Sequence, residues 1–158
     1  MKNILVTVIC CGSFLAAAAQ TSYDRALGLK FPGGFSVSYK QFLTETNNVE
    51  VLGTFKGGGF RLTGLYEFNF YTLDVEGLSW FVGPGAHIGF GKEDQLSAEN
   101  KTTTKNTADL GIDGIIGLDY KFRDLPLNVS LDWQPSIVIA GNTNFSGAYG
   151  GLGIRYTF

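Results

Sequence analysis

Residues 109–122 read DLGIDGIIGLDYKF, and the fold turns on the parity of this stretch. Leu110, Ile112, Ile116, Leu118, Tyr120 and Phe122 fall on one parity, with Gly114 among them. Gly111, Asp113, Gly117, Asp119 and Lys121 fall on the other, with Ile115 the one large apolar exception. Successive side chains of a strand point to opposite faces, so the stretch predicts a strand with one apolar and one charged face. The same alternation recurs in Phe60–Tyr71, Leu78–Gly91, Leu127–Ile139 and Ala148–Phe158. Three weaker strands precede these, at Arg25–Phe31, Phe35–Phe42 and Val49–Phe55. Turn residues separate them, as at Pro32-Gly33-Gly34, Asn47-Asn48, Lys56 to Gly59, Asp74 to Gly77, Arg123 to Pro126 and Gly141-Asn142. Lys92–Thr107 reads as the only long loop. Pro84 and Pro135 fall inside strands, where each removes a donor, so a bulge that shifts the local parity is expected near each.

The chain has 158 residues, which suits one domain. Its 16% charged and 14% aromatic content excludes disorder. A net charge of −2 excludes a basic nucleic-acid binder, which needs clustered Lys and Arg to neutralise phosphates. Lys2, the apolar run Ile4 to Ala18 and the small residues Ala17-Ala18-Ala19 predict a secretory signal peptide over 1–19. Cys10 and Cys11 both lie within it, so residues 20–158 hold no disulfide and no thiolate.

Alternation alone does not say which face points inward. Predicted strands of up to 14 residues exceed the ~5–6 usual in soluble proteins and suffice for the ~9–11 that cross a bilayer. The apolar parity of the five strong strands carries no charge and includes both tryptophans. Eight strands enclose an interior only just filled by side chains, so such a bulky set must point outward. Glycines share the charged parity, as at Gly28, Gly83, Gly111, Gly117 and Gly153, and would make room for long polar side chains. The reading is therefore an all-β, eight-stranded antiparallel up-and-down transmembrane β-barrel. Its expected lumen set is Lys30, Lys40, Arg61, Lys121 and Arg155 against Glu50, Glu67, Asp113, Asp119 and Asp132, joined in one continuous salt-bridge network. Aromatics near strand ends, such as Tyr66, Phe68, Phe70, Tyr120 and Phe122, fit girdles at headgroup level.

The run Gly151 to Phe158, with Leu152, Ile154, Tyr156 and Phe158 at alternate positions, resembles the C-terminal strand of Gram-negative outer-membrane barrels. Residues 111–122 and 131–135 look like small uncharacterised barrels of Bacteroidota, and the Ala19-Gln20 junction is similar to cleavage sites there. The resemblance, to OmpX-like and OmpA-type barrels, implies an outer-membrane location and an eight-stranded fold. It implies that Leu152, Ile154, Tyr156 and Phe158 serve as the signal to the barrel-assembly machinery, with periplasmic chaperones acting during biogenesis and outer-membrane lipid surrounding the product. It also places 92–107 outside and the Arg123–Pro126 turn in the periplasm. Loops shorter than the family's argue against a long protruding adhesive sheet.

His87 is the only histidine, and no other nitrogen or sulfur ligand accompanies it, so no metal site is expected. Ser79, Ser130, Ser136 and Glu67 could join it in a catalytic set, but nothing in the sequence brings them together. Glu93, Asp94 and Glu99 lack calcium-loop spacing, and Gly57-Gly58-Gly59 lacks the Lys-Ser/Thr and helix of a phosphate loop. The sequence thus suggests a monomeric, cofactor-free, non-enzymatic outer-membrane barrel with a closed lumen, in a structural or surface-interaction role. A secreted lipocalin-like carrier of an apolar ligand and an outer-membrane lipid-modifying enzyme are the alternatives.

Overall fold

The computed structural model describes residues 23–71, 74–96, 102–141 and 144–158. The expected signal peptide lies outside the described residues. The chain forms β1 (Arg25–Pro32), β2 (Phe35–Phe42), β3 (Asn47–Lys56), β4 (Gly59–Tyr71), β5 (Leu78–Leu96), β6 (Thr102–Lys121), β7 (Leu127–Ala140) and β8 (Phe145–Thr157). Each strand pairs antiparallel with its neighbour in sequence, and β8 returns to β1 to close the barrel. Leu27 faces Tyr156 and Gly28 faces Arg155 across that seam. Reciprocal bonds from Arg25 N to Phe158 O (3.0 Å) and from Phe158 N to Arg25 O (2.9 Å) finish it.

The alternation of residue types becomes an alternation of burial. Along β4, Arg61, Thr63, Leu65, Glu67 and Asn69 are buried, while Leu62, Tyr66 and Phe68 stand outside. Along β6, Ile112, Ile116 and Leu118 are exposed, while Asp113, Ile115 and Asp119 are buried. An apolar residue on a conventional soluble fold would show the reverse. Here the interior is polar and the coat is apolar.

Three expectations need correction. Pro84 carries no bulge: β5 pairs with β6 without interruption through Pro84 and Gly114. On the other side the register is the same at Leu65–Gly85 and Phe68–Val82, so the missing donor leaves a gap in the ladder rather than an extra residue. At Pro135 the register does shift, but the extra residue lies in β8, because Gln134 faces Tyr149 whereas Ser136 faces Ser146. β7 keeps its parity through Gln134 and Ser136, both buried, and carries an extra residue of its own only at Ile139, where Leu110 faces Ala140 but Gly111 faces Val138. Finally, the expected loop 92–107 begins and ends as strand, since residues 92–96 belong to β5 and 102–107 to β6. β5 and β6 pair on from Gly91–Thr107 to Leu96–Thr102, so they rise as a two-stranded ribbon beyond the barrel wall. The polar composition of this segment suggested a loop because it carries no apolar alternation.

Gly28 shows how closely the seam packs. A Cβ there would lie 2.0 Å from the Ile154 carbonyl oxygen and 2.8 Å from Arg155 Cγ. Gly28→Val is therefore expected to lower stability by about 1–3 kcal/mol through overpacking. The exposed control Ala86→Val should behave as wild type when unfolded by urea in detergent micelles.

Candidate functional site

The lumen collects the chain's buried charges, and Arg155 on β8 is the hub of its lower half. Its Nε donates to Ser38 Oγ (2.8 Å), and Nη1 donates to Ser130 Oγ (2.7 Å) and Asn128 Oδ1 (3.3 Å). Nη2 donates to Glu50 Oε1 at 2.5 Å. The guanidinium fork thus ties β8 to β2, β3 and β7 with every bond charge-assisted. Lys30 Nζ lies 2.9 Å from Asp132 Oδ2 and 3.9 Å from Glu50 Oε2. Lys40 Nζ lies 2.9 Å from Glu67 Oε2, 3.4 Å from Asp119 Oδ2 and 4.5 Å from the centre of the Phe81 ring. Asn128 donates to Asp119 Oδ1 at 2.5 Å.

Tyr23, just before β1, closes this end. Its hydroxyl donates to Asp119 Oδ2 at 3.3 Å. Burial, and then the Asp119 charge, push its phenol above the usual range, so it remains a donor.

A second cluster occupies the other half. Arg61 pairs with Asp113, and its Nη2 lies 2.8 Å from His87 Nδ1. His87 Nδ1 is 2.6 Å from Asp113 Oδ2, and Gln134 Nε2 donates to Asp113 Oδ1 at 3.1 Å. Arg61 also stacks over Tyr149 at 4.0 Å. Above it opens a cavity of about 330 Å³, lined by Lys56, Arg61, Asp109, Ser136, Ser146 and Tyr149 among others.

Leu52, Leu65, Phe81 and Ile115 pack together between the two clusters. Inward along β4 the order is Asn69, Glu67, Leu65, Thr63, Arg61, so the apolar layer falls between the charged ones. The expected network is therefore not continuous: this plug divides it. Ile115, the exception to parity in the sequence, is one of its members.

Nine of the ten expected lumen residues lie inside: Lys30, Lys40, Glu50, Arg61, Glu67, Asp113, Asp119, Asp132 and Arg155 are all buried. Lys121 is the exception and corrects the expectation. It sits at the rim, where Nζ donates to the carbonyls of Phe122 (2.5 Å) and Leu125 (2.8 Å) and caps the β6–β7 turn. Being last on its strand, it reaches past the lumen to turn carbonyls. Sequence reasoning did not single out Ser38, Asn128 or Gln134. Their signal was their parity, shared with the charges. Of the possible catalytic partners for His87, Ser130 is held by Arg155 and Glu67 by Lys40, both across the plug. Leu152, Ile154, Tyr156 and Phe158 all face outward.

No family model matches the chain, and no curated protein matches it. Among solved structures it is similar to the crystal structure of Neisserial surface protein A (NspA), with a TM-score of 0.57 and 14% identity. The likeness covers 86% of this chain and 94% of that one, and it shows a shared eight-stranded fold.

Removing Arg155 leaves the buried Glu50 carboxylate with only Ser38 Oγ and the more distant Lys30 Nζ at 3.9 Å. Arg155→Met is expected to cost about 3–5 kcal/mol, the usual penalty for an orphaned buried charge. Adding Glu50→Gln to it should recover most of the loss, measured by urea unfolding in micelles.

Proposed function

We propose that this chain is a small integral outer-membrane β-barrel with a closed lumen, serving a structural or surface-interaction role rather than catalysis or wide-pore transport. The height and composition of the outer face carry this reading. The outward apolar residues run from Phe60 to Phe70 on β4, from Trp80 to Phe90 on β5 and from Leu110 to Tyr120 on β6. Each covers the same length of strand. At ~3.3 Å per residue and ~40° of tilt that length rises about 25 Å, the height of the apolar band of outer-membrane barrels. Trp80, Tyr120 and Tyr156 stand toward the end that holds the chain termini, where their polar tips can reach headgroups. A soluble carrier would need the opposite arrangement, with charges out and an apolar calyx within.

The apolar layer across the lumen, with paired charges on either side of it, favours a non-conducting barrel. The β5–β6 ribbon extends six residue pairs past the last contacts with β4 and β7, about 20 Å at strand rise, and supports the surface-interaction half of the proposal. Closure leaves no sheet edge within the barrel wall, consistent with a monomer. The outward row Leu152, Ile154, Tyr156 and Phe158 is available to assembly factors before β8 meets lipid.

The protein should resist carbonate extraction from outer-membrane fractions and migrate differently on detergent gels before and after boiling. Recovery as a monodisperse protein without detergent would overturn the proposal. Ile116→Arg, near mid-height, should cost about 2–4 kcal/mol in lipid vesicles, and Ile139→Arg, near the rim, about 0–1 kcal/mol. Planar bilayers containing the wild type should show no channel events.

A further inference from the structure

The charges in the lower half of the lumen do not balance. Among the described residues, this half buries three cations, Lys30 on β1, Lys40 on β2 and Arg155 on β8. Against them it buries four carboxyl groups, Glu50 on β3, Glu67 on β4, Asp119 on β6 and Asp132 on β7. β5 adds no charged residue between Leu78 and Ala86, and Tyr23 enters as a neutral donor. With every carboxyl ionised, one negative charge would stand uncompensated away from water. A group in that position takes up a proton instead of staying charged.

The contacts single out one carboxyl. Asp119 accepts from Tyr23 and Asn128 and also faces Lys40. Glu50 Oε1 accepts from both Arg155 and Ser38. Asp132 accepts no hydrogen bond, but Lys30 stands 2.9 Å from it and is 3.9 Å from its other carboxylate, Glu50. Glu67 is wholly buried, and neither of its oxygens receives a hydrogen bond. Its near cation, Lys40 at 2.9 Å, is shared with Asp119. The buried Asn48 amide, on the residue directly opposite Glu67, gives it no bond.

Glu67 does have a second carboxyl beside it. The register sets Glu50 opposite Leu65, two residues before Glu67 on the same inward face, and long side chains reach across such a diagonal. The Glu50 and Glu67 carboxyls lie within hydrogen-bond reach of each other. Two carboxylates that close cannot both be ionised. Glu50 Oε2 takes no other hydrogen bond, so its lone pair is available to a proton. Arg155 holds Glu50 in its charged form through Oε1, which leaves the proton to Glu67.

We propose that the lower lumen is a proton-binding site, in which Glu67 is a neutral carboxylic acid that donates to the Glu50 carboxylate. One proton brings the cations and carboxylates of this half into balance. A metal cation is a poorer occupant, because it needs several ligands and room, and among the described residues no three acidic or histidine side chains converge to hold one. Losing the proton would set two like charges against each other beneath the apolar layer, so the packing of the lumen responds to pH. The proton depends on the closed lumen and not on where the barrel resides.

Infrared difference spectra of the micelle-bound wild type against Glu67→Gln, at about pH 6, test this. That pH is well above the ~4.3 at which a free glutamate titrates. The wild type should show the carbonyl stretch of one protonated carboxyl that the variant lacks. Glu67→Gln should fold, because its amide can donate to Glu50 in place of the acid. Urea unfolding of the two proteins gives a second readout. A proton bound only in the folded state makes the wild type lose about tenfold in folding constant per pH unit relative to Glu67→Gln, from about pH 5 until the proton leaves. Absence of the extra acid band, pH profiles that run parallel, or failure of Glu67→Gln to fold would overturn the proposal. Wild-type stability that follows Na⁺ concentration instead of pH would also overturn it, giving the place to a metal cation.

Discussion

The narrowness of an eight-stranded ring governs the rest of the molecule. Its interior has space for little more than the side chains that point into it. Every inward position must therefore suit its neighbours across the lumen, and every bulky apolar residue without a place inside must go outside. Arg155 meets that demand by bonding to Ser38, Glu50, Asn128 and Ser130 together. Gly28 meets it by having no side chain where the Arg155 stem passes. The apolar coat follows from the same restriction, since Trp80, Trp133 and the outward leucines and isoleucines could not all be accommodated within.

The lumen is also layered. Charges alone would have to be desolvated along the whole axis, and unpaired ones cost heavily in a dry interior. The layer of Leu52, Leu65, Phe81 and Ile115 shortens that stretch and leaves two compact polar groups. Each group has its own anchor, Arg155 in one and Arg61 in the other, and both are arginines that present a planar fork to carboxylates. Lys40 joins the layer to the lower group by resting over the Phe81 ring while it faces Glu67.

Much of this was legible in the sequence because strand parity has a period of two and a wrong phase would expose every charge. Asp113 and Asp119 could be placed from residues 109–122 alone, and so could the outward Ile112 and Leu118. The plug was not legible, since Leu52, Leu65, Phe81 and Ile115 appear as isolated faults in four separate strands. Only the barrel's stagger brings them to one level. Lys121 was misplaced because parity gives a direction but not a height, and at the rim a long side chain has turn carbonyls to choose from. The ribbon was hidden because residues 92–107 lack the apolar alternation by which the strands of the wall were read. Pro84 misled because an antiparallel ladder can omit a bond without adding a residue.

The seam between β1 and β8 has a kinetic meaning. It joins Arg25 to Phe158, partners separated by nearly the whole described chain. Hairpins can zip outward from each tight turn, but no hairpin can set this register. The closure entropy of that long loop is met only when the other seven pairings have already brought the ends together. Until then the sheet is an open ribbon with two unsatisfied edges, and both are most vulnerable to pairing with a foreign strand. Closing the seam is thus the step that converts a sticky intermediate into an inert cylinder. The glycine opposite Arg155 sits where that step is completed.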